Sequence, residues 1–141
     1  MKKMIYFTVI GKPQGKERPR FDSRRKITYT PTKTKNYETL VRTSYRTQCK
    51  NEIPLAGAIS AEIVAYFPIP KSAKKAEREE MQAGTRKPTT KPDMDNIIKA
   101  ILDALNGYAY KDDAAVVKVI AEKRYSGTPR VTVKLTNGGT K

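Results

Sequence analysis

Histidine and tryptophan are absent from the 141 residues, and cysteine occurs once, as Cys49. Without histidine there is no Ser-His-Asp or Cys-His catalysis and no imidazole general base. One cysteine and no histidine build neither a structural zinc site nor an internal disulfide. With nothing stapled, a reducing, cytoplasmic setting is the economical expectation. Long apolar runs are missing too. The longest stretch free of charged residues, Ile53 to Ala61, has nine residues, against the roughly 20 that a spanning helix needs. The apolar start Met4–Ile10 is short, interrupted by polar residues and without a small-x-small cleavage site, so it reads as a first strand rather than a signal peptide. Acids are also scarce. Against 29 Lys+Arg there are 14 Asp+Glu, leaving a formal charge of +15. Nucleic acid is the partner such an excess fits, because Lys and Arg gain affinity by displacing the counterions of phosphates.

The length suits one domain, 1–141, with a single core. After the first strand, residues 11–36 carry nine basic side chains and two acids, broken by Pro13, Gly15, Pro19 and Pro31. This predicts a basic, turn-rich loop with a short hairpin around Lys26–Thr30, and it is the expected phosphate-contacting element through Lys16, Arg18, Arg20, Arg24, Arg25 and Lys26. A helix from Thr32 or Thr34 to about Lys50 would bury a stripe of Tyr37, Leu40, Val41, Tyr45 and Cys49. Ile59, Ala61, Ile63 and Ala65 alternate with Ser60, Glu62, Val64 and Tyr66, which predicts a strand ended by Pro68 and Pro70. Ser72 is the expected cap of a short surface helix to about Gln82, and a further helix should run from Pro92-Asp93 to Asn106-Gly107. Val116–Tyr125 and Arg130–Leu135, joined by Ser126-Gly127-Thr128-Pro129, read as a hairpin, with a frayed tail at 137–141. Two closing strands and dispersed helices predict an α+β fold, a small antiparallel or mixed sheet with flanking helices.

Five of the 14 acids, all Asp, fall between residues 92 and 113: Asp93, Asp95, Asp103, Asp112 and Asp113. Such an island in a chain that binds phosphates repels its ligand unless a cation neutralises it, and Asp oxygens are the hard ligands Mg²⁺ prefers. At 100° per residue, Ile97, Ile98, Ile101, Leu102 and Leu105 fill one arc of about 140° facing the core. Asp95, Lys99 and Asp103 form a polar ridge at its edge. Asp93 lies at the helix start, so both first carboxylates are able to face one ion with Lys99 a turn further on, and one of Asp112 and Asp113 can complete the site. Blander roles compete. Asp93 suits an N-cap, Asp95 and Lys99 an ordinary i, i+4 pair, and Asp112-Asp113 a turn.

The ordered set is more specific than its parts. Lys91-Pro92-Asp93-Met94-Asp95-Asn96-Ile97-Ile98-Lys99 runs into Asp103-Ala104-Leu105 and then Asp112-Asp113-Ala114-Ala115-Val116. It resembles the RusA family of Holliday-junction resolvases, with a core of Pro-Asp-x-Asp-Asn-x-x-Lys, Asp-Ala-Leu and Asp-Asp-x-x-Val. The specific match covers residues 92–117, and the Pro13–Lys16, Arg18–Phe21 and Tyr29–Pro31 segments look like phage and prophage members. The resemblance implies a small homodimeric endonuclease that nicks four-way DNA junctions symmetrically in recombination and repair. The implied cofactor is Mg²⁺, with Mn²⁺ able to replace it. Position by position, the metal-binding acids fall on Asp93, Asp95 and Asp113, and the essential lysine on Lys99; Asp112 is a lesser candidate, and Asn96 and Asp103 match positions that look structural. A PD-(D/E)xK nuclease fits less well, because three residues rather than one separate Asp95 from Lys99. The competing class is a non-catalytic basic nucleic-acid-binding protein, resting on charge alone with Tyr29 as a stacking residue.

Overall fold

Ile59, Ala61, Ile63, Ala65 and Phe67 point to one side of a ten-residue strand and are all buried, the outcome expected when every second side chain faces a core. That strand, β4 (Ile59–Pro68), is central in the computed structural model, which describes residues 3–50 and 52–138. On one side of it runs β6 (Arg130–Asn137), antiparallel, and beyond β6 lies β1 (Met4–Ile10), also antiparallel. On the other side β5 (Val116–Ser126) pairs with β4 in parallel. The sheet is therefore mixed, in the order β1-β6-β4-β5. A separate two-stranded hairpin joins β2 (Arg20–Asp22) to β3 (Ile27–Tyr29). With the helices α1 (Thr32–Gln48), α2 (Lys75–Ala83) and α3 (Met94–Leu105), the chain is a compact α+β domain, as its sequence predicts.

α1 and α3 pack together over one face of the sheet. Phe7, Val9, Val131, Val133, Leu135 and Ile63 meet Val41, Tyr45, Ile97, Ile101 and Leu105 there, and the Phe7 and Tyr45 rings stand edge to face with centroids 5.7 Å apart. The α3 stripe is as expected, with Ile97, Ile101 and Leu105 fully enclosed and Ile98 and Leu102 half-buried at its edge. In α1 the stripe is rotated. Thr34, Tyr37, Val41 and Tyr45 are buried, whereas Leu40 is exposed. Tyr110 adds a core residue from what the sequence presents as a loop: its ring is fully buried and its hydroxyl donates to the Leu102 carbonyl at 2.6 Å.

Three expectations need correction. β5 and β6 do not form a hairpin, because β4 lies between them. Gly127–Pro129 cross the end of β4, a span of two strand spacings, about 10 Å. β4 takes the inner place because its apolar face is unbroken, while Lys118, Glu122, Lys123 and Arg124 suit β5 to an edge. Second, α2 starts at Lys75 rather than after Ser72, fixed by the Lys74 backbone N–H donating to Glu77 Oε1 at 2.9 Å. Third, Asn137 is no tail residue. It ends β6, its backbone N–H donates to the Lys3 carbonyl, and its side chain accepts from the Lys3 N–H and donates to the Ala56 carbonyl. Of the expected tail, 139–141 lie outside the described residues.

Candidate active site

The segment Lys12–Arg20 leaves β1 at Gly11 and folds back across the start of α3. Gly15 makes this approach possible: a Cβ there would stand 2.8 Å from the Pro92 Cβ and 3.1 Å from the Asn96 Cβ. Next to it the Lys16 backbone N–H donates to the Asn96 carbonyl at 2.9 Å. Between this segment and α3 lies a cleft of about 770 Å³, lined by the cations Lys12, Lys16, Arg18, Arg20, Lys33 and Lys91 and by the acids Glu17, Asp93 and Asp95.

Asp93 occupies the N-cap position of α3, but its side chain makes no capping bond; its carbonyl receives the Asn96 and Ile97 N–H groups instead. Asp95 follows in the first turn. Asp93, Asp95 and Lys99 are all exposed, and among the described residues no ion pair or side-chain hydrogen bond engages any of the three. The two blander roles, a capping carboxylate and an Asp95–Lys99 pair, are thus not the ones these side chains take. Both carboxylates open on the cleft without a partner.

The other acids gather further along the helix. Asp103 lies eight residues beyond Asp95, about 12 Å along the axis. Burial, then the carboxylates of Asp112 and Asp103, push Asp113 above the usual carboxylate range. Asp112 is occupied differently: its Oδ1 accepts the Ala114 N–H at 3.3 Å and caps the single 3₁₀ turn Asp113–Ala115 that leads into β5. Asp112 and Asp113 therefore precede β5. Among the described residues, no three His, Cys, Asp or Glu side chains are gathered to enclose one metal ion. The donor chemistry nevertheless fits Mg²⁺, which is commonly held by one or two carboxylates together with water and substrate phosphate.

The basic residues divide. Lys16 is bound on the protein side, its Nζ 2.8 Å from Glu38 Oε2 and 3.0 Å from Asp103 Oδ2. Burial opposes its charge, but the hydrogen bonds to Glu38 and Asp103 outweigh that and raise its pKa. Arg18 and Arg20 line the cleft, whereas Arg24, Arg25 and Lys26 stand at the tip of the β2–β3 hairpin. Sequence reading missed Lys12, Lys33 and Lys91 as wall residues and Glu38 as a partner of Lys16. Lys91 had a signal in its place beside Pro92-Asp93; Glu38 had none, because its contacts are remote in sequence. No described helix is long and apolar enough to cross a membrane.

The chain is 38% identical over 135 residues to the uncharacterized protein YqaN of Bacillus subtilis (strain 168), covering 93% of this chain and 94% of that protein. A family model described as endodeoxyribonuclease RusA matches residues 11–136, from the turn that begins the basic segment almost to the end of β6. The chain belongs to the RusA endodeoxyribonuclease family.

Proposed function

We propose that this chain is a Mg²⁺-dependent endonuclease that resolves four-way DNA junctions by paired symmetric nicks, working as a homodimer in DNA recombination and repair. The observation that carries the reading is the pair of unpartnered carboxylates, Asp93 and Asp95, lining a cleft that also holds six basic side chains. Two acids left unpaired in a chain of charge +15 are best explained by a cation bound during work. Asp93 and Asp95 would hold it, and Asp113, which stands beside Asp112 and Asp103 rather than gathered with that pair, is the third acid that the family resemblance assigns. Asp113 is preferred to Asp112 because the latter is engaged in capping, and because a carboxylate crowded by like charge gains most from a cation.

Bound there, Mg²⁺ supplies Lewis-acid activation of water and neutralises charge developing at the phosphate, and Mn²⁺ can replace it. The protein's own groups do the rest. Lys12, Arg18, Arg20, Lys33 and Lys91 attract the DNA backbone and orient it across the cleft. Lys99, exposed on the Asp95 ridge, brings a positive charge to the scissile phosphate. The symmetry of a four-way junction supports a dimer, since two nicks on opposite strands call for two sites about a twofold axis.

A synthetic four-way junction and a linear duplex of matching sequence, each incubated with Mg²⁺ or EDTA, test the proposal. Symmetric nicks are expected only for the junction with Mg²⁺. Equal binding in both conditions without cutting would favour the non-catalytic binding protein.

A further inference from the structure

Apart from Arg20, which lines the cleft, the β2–β3 hairpin takes no part in the chemistry above, and its construction is unusual for a surface element. Asp22 shapes its tip: Oδ1 accepts the Arg24 and Arg25 N–H groups at 2.9 and 3.3 Å, and Oδ2 accepts from Arg25 Nε at 2.8 Å. Lys26, with φ 55°, closes the turn. Phe21 pairs with Thr28, and Arg20 with Tyr29. Paired residues share a face and successive ones alternate, so Phe21 lies on one face of the ribbon and Tyr29 on the other. Neither strand packs substantially on another element, and the apolar side chains are open to solvent: Phe21 is 63% exposed, Ile27 43% and Tyr29 38%. A lone two-stranded hairpin gains little stability in water, and this one does not bury its aromatic rings in the core.

The charge on the hairpin decides what those rings meet. Arg20, Arg24, Arg25 and Lys26 crowd the ribbon, and Arg20 also lines the cleft beside Asp93 and Asp95. Nucleic acid lying in the cleft thus reaches the ribbon at Arg20, and Phe21, the more exposed of the two rings, stands one residue further on, on the other face. Cations with interleaved aromatic rings are the chemistry that grips phosphates and stacks on bases. Within an intact duplex, base faces are hidden in the stack; they come free only in single strands and where the stack breaks, as at a branch point.

We infer that the β2–β3 hairpin is a base-stacking arm: Phe21 packs on a nucleobase face exposed where stacking is interrupted, while Arg24, Arg25 and Lys26 hold the flanking phosphates. The arm adds to the proposed nuclease a means of telling broken from continuous duplex. The inference rests on that reading for its DNA partner, but it is separable from the cleavage chemistry.

The absence of tryptophan provides the test, since Phe21→Trp introduces a single tryptophan at the contact, excited at a wavelength that the tyrosines do not absorb. The full-length protein, wild type, Phe21→Ala and Phe21→Trp, is titrated in EDTA with a four-way junction, a single strand and a blunt duplex. Junction and single strand are expected to quench the Trp emission and the duplex to leave it largely unchanged. Phe21→Ala should lose roughly 5- to 150-fold in affinity for the first two ligands, the range of one base stack, with Phe21→Trp remaining near wild type. The inference is overturned if emission ignores the junction and the single strand, if the duplex quenches equally, or if Phe21→Ala binds as wild type does. If Phe21→Ala fails to fold, the emission of Phe21→Trp decides alone. Nicking by the wild type in Mg²⁺ is scored separately, so failure of the nuclease reading is not confused with failure of the arm.

Discussion

The Lys16 ammonium stands 3.0 Å from the Asp103 carboxylate, tying the most basic segment of the chain to the helix that carries its acids. Glu38 on α1 holds the same ammonium at 2.8 Å. A lysine that the sequence offers to DNA thus fastens one wall of the cleft. Its side chain is 25% exposed, so the contact lies between a surface pair and a buried one in strength. Lys16→Ala is expected to lower stability by about 1 kcal/mol, seen as a melting temperature about 3–4 °C below wild type. Unchanged melting would mean that the segment is not anchored there.

Gly15 sets how near that wall comes to Asp93. In Gly15→Ala the new methyl meets the Pro92 and Asn96 Cβ atoms at 2.8 and 3.1 Å, so the segment must move away from α3. Overpacking of this kind costs about 1–3 kcal/mol. The larger effect should be on rate, since a displacement of about 1 Å between positioning groups and reacting atoms can cost about 100-fold. Single-turnover nicking of a junction by folded protein measures it. A variant with wild-type rate and stability would contradict the close packing.

Tyr37 gives the chain an alkaline limit. Its hydroxyl is buried with no hydrogen-bond partner; the Gln14 backbone approaches without the geometry of a bond. Burial is the main cause that pushes its pKa up to about 12, and the Gln14 approach opposes it only in part. The folded state keeps this proton between pH 10 and about 12, where the unfolded chain gives it up. The stability linked to the neutral phenol is therefore present below pH 10 and lost as pH rises through that window. Tyr37→Phe should flatten the decline without abolishing it, because burial also raises the Tyr110 pKa. At neutral pH it should cost nothing, since no hydrogen bond is lost. Denaturant midpoints across pH 8–12 check both statements, and an unaltered decline would contradict them.

What could be read from the sequence was set by periodicity. The alternation in β4, the stripe in α3 with its stop at Asn106-Gly107, and the hairpin near Lys26 all follow from nearest neighbours in sequence. The Asp93–Lys99 string was legible for the same reason, since its spacing along one helix is fixed. What escaped depends on contacts distant in the chain. No local pattern says that β4 enters between β5 and β6, that Glu38 reaches Lys16, or that Tyr110 fills the core from a loop. The free Asp93 carboxylate was hidden differently: N-cap preference predicts a capping bond, and the structure leaves that bond unmade.

The central claim is that unpartnered carboxylates at the start of α3, with Asp113, serve a metal rather than the fold. The most direct measurement is nicking of a four-way junction in Mg²⁺ by Asp93→Asn, Asp95→Asn and Asp113→Asn, with junction binding followed in parallel. Each change should abolish nicking while binding is kept or tightened, because a negative charge facing phosphates has been removed. Cleavage that survives in all three variants would contradict the account.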